Sequence, residues 1–277
     1  MDSPEIFRRS LRRLRRDRAA PDYAAHDFLR QHMLEGIEDR LSTVQRAFGD
    51  VLDLGCFDAS FALPGARIAR LDAGFAFARA AGGVQGDEDR LPFADGSFDL
   101  IVSAGVLDQV NDVPGALTLA CRALKPDGLF LGAFVGAGSL ATLRGCLLEA
   151  EADRPVARLH PQIDVRSAGD LLTRAGFALQ VSDVESVTVR YADILGLLRD
   201  LRGMAAGNLL ASISPLSRET LLRAAAAFAQ RADPDGRTRE QFEIVYLTGW
   251  APDPSQPKPA RRGSASASLA QALKPKG

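Results

Sequence analysis

Apolar residues along this chain gather in short unbroken runs closed by glycine, proline or an acid, and the stretches between those runs space their apolar positions as helices do. Val51-Leu52-Asp53-Leu54-Gly55-Cys56 reads as a buried first strand, Ala66 to Asp72 as a second, Phe98 to Ser103 as a later one, and Gly128 to Val135 as another. Their non-alternating texture suits a parallel sheet covered on both faces. Helical patterns span 28–48, 75–81 and 113–124, the last opening near Pro114 and closing before the turn signal Lys125-Pro126-Asp127-Gly128. Strands and helices thus alternate over most of residues 50–135, which predicts a Rossmann-like, doubly wound α/β sheet.

Further on, Ala168 to Ala175 reads as a short helix stopped by Gly176, and 177–189 as two β-rich stretches around Asp183. Helical patterns at 192–204 and 218–231 precede a last strand, Glu243 to Trp250. This divides the chain into an N-terminal helical extension (1–48), an α/β domain (49–250) with a helical lid insertion at about 192–232, and a flexible tail rich in Pro, Ser, Ala and Lys (251–277).

Composition narrows the class. With 277 residues and 34 Lys and Arg against 35 Asp and Glu, the formal charge of −1 argues against a globally basic nucleic-acid surface. Three cysteines without CxxC spacing make neither a disulfide framework nor a zinc site, and no metal is expected. No apolar run approaches the length of a membrane-spanning helix. The run Phe7-Arg8-Arg9-Ser10-Leu11-Arg12-Arg13-Leu14-Arg15-Arg16 has two readings: a solvated basic helix folded onto the domain, or one that meets an anionic partner or membrane surface. The acids Asp2, Glu5 and Asp17 weigh against a transit peptide.

In a parallel sheet the loops after the strands meet at the carboxyl edge, where a glycine lets a ligand approach the backbone. Asp53-Leu54-Gly55 supplies that position; Asp72, seventeen residues past Gly55, is placed to accept from ribose hydroxyls; Asp87 and Glu88 follow a third strand. Each acid alone has a plainer reading as a helix cap.

Taken together, Val51-Leu52-Asp53-Leu54-Gly55-Cys56, Asp72, Gly86-Asp87-Glu88-Asp89-Arg90-Leu91-Pro92-Phe93, Phe98-Asp99-Leu100-Ile101-Val102-Ser103 and Lys125-Pro126-Asp127-Gly128 resemble the class I S-adenosylmethionine-dependent methyltransferases. The resemblance implies a seven-stranded sheet whose last strand is antiparallel, with S-adenosylmethionine held by Asp53, Gly55, Cys56, Asp72, Asp87, Glu88 and Ser103. Within that superfamily the chain is most similar to the complex I assembly factor 5 group, whose mitochondrial member is described as a protein-arginine hydroxylase. That likeness runs nearly end to end, through Glu5-Ile6-Phe7, Val110-Asn111-Asp112-Val113-Pro114, Gly138-Ser139-Leu140, His160-Pro161, 171–177 and 200–204. The carboxyl-methylating enzymes of biotin synthesis are more distant. The group implies a protein substrate or respiratory-complex subunit as partner, in the cytoplasm of a bacterium or the mitochondrial matrix of a eukaryote.

Two positions depart from the family pattern. Where it has Gly-Cys-Gly-x-Gly, this chain has Gly55-Cys56-Phe57-Asp58-Ala59, placing side chains where the methionine end of the cofactor lies. Asp108-Gln109 replaces a His-Trp pair beside the substrate pocket. Three functions therefore stay open: a methyltransferase with an altered cofactor loop, a non-catalytic assembly scaffold, and an arginine hydroxylase, for which no His-x-Asp iron motif is present.

No catalytic residue is assigned. His160 reads as a structural histidine before a pocket residue, and Cys56 as a small buried residue before a reactive thiol. Asp112 reads as a helix cap, leaving Asp108 the better candidate for proton chemistry. Ser139 lacks a G-x-S-x-G setting. The helices between Tyr191 and Ala229 read mainly as core, with a lid or docking face as the alternative.

Overall fold

A computed structural model describes residues 5–153 and 155–257. Its centre is a seven-stranded sheet: β1 (Asp50–Leu54), β2 (Arg67–Asp72), β3 (Val84–Gln85), β4 (Phe98–Ala104), β5 (Leu124–Val135), β6 (Ala178–Tyr191) and β7 (Thr238–Trp250). The spatial order is β3-β2-β1-β4-β5-β7-β6, parallel through β5, with β7 antiparallel to both its neighbours. The doubly wound sheet with an antiparallel last strand is therefore as expected. The chain reverses between β2 and β4, on either side of β1, and the loops at that switch point face the expected site.

Helices α1 (Arg9–Ala19), α2 (Phe28–Ser42), α3 (Phe75–Ala80), α4 (Val113–Ala123), α5 (Ala141–Ala150), α6 (Val165–Arg174), α7 (Ile194–Gly203) and α8 (Arg218–Ala229) complete the described chain. On one face of the sheet, Met33 and Ile37 of α2, Leu143 of α5 and Phe228 of α8 pack on Val102, Leu131 and Ile244. On the other, Leu117 of α4 and Leu172 of α6 cover Leu52, Ile101, Phe130 and Leu247. Each fully buried Leu or Phe contributes about 1.5–3 kcal/mol, so both faces must be covered for the sheet to hold. Asp112 caps α4 by accepting from Gly115 N at 2.8 Å, as its place before Val113-Pro114 suggested.

Three elements differ from expectation. The helix predicted over 28–48 ends at Ser42. Residues 177–189 form one strand, β6, because pairing with β7 runs from Ala178 to Tyr191 through a single register shift. Lys125-Pro126-Asp127-Gly128 makes no separate turn; it lies within β5, where Asp127 takes φ 57° and the register against β4 shifts. Helix α5 was not anticipated. Of the tail, residues 258–277 lie outside the described residues, while Ala251 is buried and Gln256 donates to Asp127.

Candidate functional site

The first glycine of the loop after β1 is a structural requirement. Gly55 has φ +82°, and a Cβ there would sit 2.4 Å from Val106 Cγ1. Gly55 N and Cys56 N both donate to Leu71 O, at 2.8 and 3.0 Å, tying the loop to β2. The two positions where the family pattern has further glycines keep the glycine backbone without the glycine: Phe57 has φ 46° and Ala59 φ 61°. Asp72, at the end of β2, accepts from Phe57 N at 3.0 Å and Gly74 N at 2.7 Å, which holds that conformation in place.

All seven expected cofactor residues lie along the carboxyl edge of β1 to β4, so the fold does bring them together. What occupies that edge is the N-terminal helix. Arg16 of α1 forms a two-pronged bond to Asp72, through Nε to Oδ1 at 2.8 Å and Nη2 to Oδ2, and neither side chain is exposed at all. One turn earlier, Arg12 pairs with Glu88, with Nη2 to Oε1 at 2.7 Å, again buried. Arg13 reaches Asp87 at 2.7 Å, and Arg9 grips Asp89 with two bonds of 2.7 Å. Residues 9, 12, 13 and 16 share one helix face, and that face, not the one carrying the exposed Leu14, turns inward. The helix folds onto the domain, as the first sequence reading of the arginine run had it, but its docked face is not solvated. Along residues 9, 12, 13 and 16 the acids of its own domain neutralise the charge, and no outside anion is needed there.

The plug is seated at its N-terminal side by Phe7, buried against Leu209 and Leu210, whose N–H donates to Asn111 Oδ1 at 2.8 Å and whose carbonyl accepts from Asn111 Nδ2 at 2.9 Å. Beneath α1, Phe57 stacks on Tyr23 with centroids 4.8 Å apart and meets Phe77 edge-on at 5.2 Å. The Arg16 guanidinium lies 3.8 Å above the Phe57 ring, and Arg30 lies 5.1 Å from it.

Burial would raise Asp72, but Arg16 and the two N–H donors hold it below the ordinary carboxylate range. Asp53 has no such compensation. It is buried with no hydrogen bond to either oxygen, Arg30 Nη2 standing 3.5 Å away, and burial pushes it up to about 6. Burial likewise lifts the Cys56 thiol to about 12, which makes it an inert packing residue. Ser103 is buried on β4 with its hydroxyl unpartnered.

S-adenosylmethionine does not fit this arrangement. The ribose acid Asp72 has both oxygens committed, Asp87 and Glu88 hold arginines, and the loop's Phe57 ring is packed between Arg16, Tyr23 and Phe77.

Beside the plug lies a separate cavity of about 700 Å³, bounded by α1, α5, α7 and the segments around His160 and Asn208. Asp108 lines it, with Oδ1 buried and unpartnered, and burial pushes its carboxyl up to about 6. His160 lines it too, but its Nε2 accepts from Leu209 N at 2.9 Å and its ring packs on Phe7 at 4.8 Å, a structural role; burial and Arg15 push it down to about 4. Buried Gln109 Oε1 also lacks a partner where the family pattern has an aromatic ring. The four arginines that close the site were missed as a unit, although their spacing of three, one and three positions matched a single helix face. Among the described residues, no helix is long and apolar enough to cross a membrane and no cluster of potential ligands could hold a metal ion.

Comparison with known proteins identifies the family and the fold. A methyltransferase-domain family model matches residues 52–132. The mitochondrial arginine hydroxylase NDUFAF5 of Danio rerio is 36% identical over 97% of this chain and 90% of its own length. The malonyl-[acyl-carrier protein] O-methyltransferase of Laribacter hongkongensis is 30% identical over 85% of this chain and 87% of its own. In structure, the YcgJ protein of Bacillus subtilis superposes with a TM-score of 0.56 over 79% of this chain and 99% of that one, at 16% identity, a likeness of fold. The chain belongs to the NDUFAF5 family, built on the class I methyltransferase fold.

Proposed function

We propose that this chain assists assembly of a respiratory complex by binding a protein partner, with its methyltransferase fold retained as a scaffold and its nucleotide edge closed by its own helix α1. One observation carries this reading: Arg16 and Asp72, both fully buried, form a two-pronged ion pair at the position a ribose would take. The Phe57 side chain supports it, because opening the loop requires breaking that pair and unstacking Tyr23 and Phe77 as well. Family membership supports a respiratory-complex partner, and the mitochondrial location printed for the Danio rerio relative supports the mitochondrial matrix in a eukaryote, with the cytoplasm as the bacterial counterpart.

Titration calorimetry of the purified chain with S-adenosylmethionine and S-adenosylhomocysteine tests the closed edge. The expected result is no heat and no shift in melting temperature at millimolar ligand; micromolar binding overturns the reading, since a ligand selective for the folded state must stabilise it. Deletion of the gene with rescue by the wild-type chain, read as assembled complex I on native gels, tests the assembly role.

Hydroxylation of an arginine, the activity printed in the name of the Danio rerio relative, is a second reading. The observation that favours it is Asp108, a residue of the cavity lining with one buried, unpartnered oxygen, whose carboxyl would accept from a guanidinium. Mass spectrometry of respiratory-complex subunits with and without the chain distinguishes it: a subunit arginine heavier by one oxygen only in the presence of the chain supports catalysis over scaffolding.

A further inference from the structure

The closed nucleotide edge uses one face of α1; the other face of the same helix looks onto the 700 Å³ cavity. That volume falls within the range of small-molecule sites. Its interior is mainly apolar, with Leu29, Leu140, Leu143, Leu147 and Phe242 among its walls beside the half-buried Asp108 and His160. Its rim is cationic. Arg15 and Arg18 come from α1 and Arg199 and Arg202 from α7, with Asp22 as the one exposed acid of the lining.

Among the described residues these four arginines make no ion pair with a carboxylate. Asp200, on the same helix as Arg199 and Arg202, is engaged by His26 at 2.9 Å, and Glu151 is engaged by Arg158. Arg15 extends across to Gly207, where a Cβ would lie 2.5 Å from its Nη1. Half-burial and the nearby charges of Arg18 and Arg202 lower its basicity. Like charges gathered at the mouth of an apolar chamber repel one another, and the repulsion is relieved when an anion enters among them. Every other arginine of α1 that faces the domain has its own acid; these two do not.

We propose that this cavity binds a single-chain anionic amphiphile, its aliphatic chain among the leucines and its carboxylate or phosphate head between Arg15, Arg18 and Arg202. Guanidinium groups pair with either head in two-pronged fashion, and the chain gains from the apolar wall with each methylene it buries. The inference goes beyond the assembly reading and does not depend on it, because the ligand enters beside the plug and not beneath it. A ligand seated here contacts α1 and α7 together and would join them.

The test is calorimetry of the full chain, below micellar concentration, with laurate, dodecyl phosphate and dodecanol as probes, on the wild type and on Arg18→Gln/Arg202→Gln. These two arginines are exposed, so the double variant should melt as the wild type does, and an unchanged melting temperature verifies that it folds. The expected result is one-to-one binding of laurate or dodecyl phosphate at least tenfold tighter than dodecanol, weakened at least tenfold in the double variant. Preference for laurate over dodecyl phosphate identifies a fatty carboxylate as the source, and the reverse identifies a phosphate monoester. Absence of binding, equal affinity for all three probes, or undiminished binding by the folded double variant overturns the proposal.

Discussion

Arg16 of the N-terminal helix and Asp72 at the end of the second strand, fifty-six residues apart in sequence, form a buried two-pronged ion pair whose cationic member also covers the Phe57 ring at 3.8 Å. The pair turns the most nucleotide-like feature of the fold into an internal contact. A buried ion pair of this kind specifies where α1 docks more than it adds to stability, because desolvating both charges offsets much of their attraction.

Removing one partner should therefore be far worse than replacing both. Arg16→Ala is expected to lose about 3–5 kcal/mol in urea denaturation, since Asp72 is left buried and charged. Arg16→Met with Asp72→Asn should recover most of that loss; if the double variant is as unstable as the single one, packing and not charge holds the helix.

The two arginine pairs at consecutive positions of α1 should separate by burial. Arg12 and Glu88 are almost wholly enclosed, whereas the Arg13 side chain is 44% exposed. Arg12→Ala should cost about 3 kcal/mol or more and change little with salt, while Arg13→Ala should cost under about 1 kcal/mol and lose even that in high salt. Equal costs for both, measured by denaturation at low and high salt, would contradict this account of the plug.

The loop should respond in opposite senses at its two left-handed residues. Ala59→Gly relieves a positive φ at little packing loss and is expected to stabilise by about 0.5–1 kcal/mol. Phe57→Gly relieves the same strain but removes the ring that Tyr23, Phe77 and Arg16 contact, so a net loss of about 2–4 kcal/mol is expected from thermal melts. A stabilised Phe57→Gly chain would show that the ring is a burden and the aromatic box unimportant.

Asp108 makes stability depend on pH in a definite direction. Its carboxyl is raised by burial from 3.8 to about 6, so between those values the folded chain holds a proton that the unfolded chain has lost. Its contribution to stability is fully present below about pH 4, declines as pH rises through 6 and stays reduced above. Asp108→Asn removes that loss: it should exceed the wild type by about 1–3 kcal/mol at pH 7.5 and converge with it near pH 4. A difference that does not vary with pH would mean that this carboxyl is not desolvated.

Much of this was legible because it is local. The runs at Val51, Phe98 and Glu243 are too apolar and too short for anything but buried strands, and Asp112 before Val113-Pro114 caps a helix through a side chain three residues from its donor. Tolerance of side chains in the cofactor loop was not legible. Phe57 and Ala59 have residue types that disfavour positive φ; at Phe57, Asp72 accepting from its N–H, with Tyr23 and Phe77 against its ring, explains why it keeps that conformation. The β6 stretch was split in the sequence because its burial is irregular along an edge strand; its continuity comes from pairing with β7.

The sequence by itself determined the alternating strands and helices of residues 50–135 and the row of acids at the carboxyl ends of those strands, since hydrophobic spacing and turn chemistry act over a few residues. It also supplied the arginines at helical spacing. Only the tertiary structure decided that these two charged rows face each other: Coulomb attraction becomes specific when both partners are desolvated, and desolvation is set by where α1 is packed, a property no stretch of sequence carries alone.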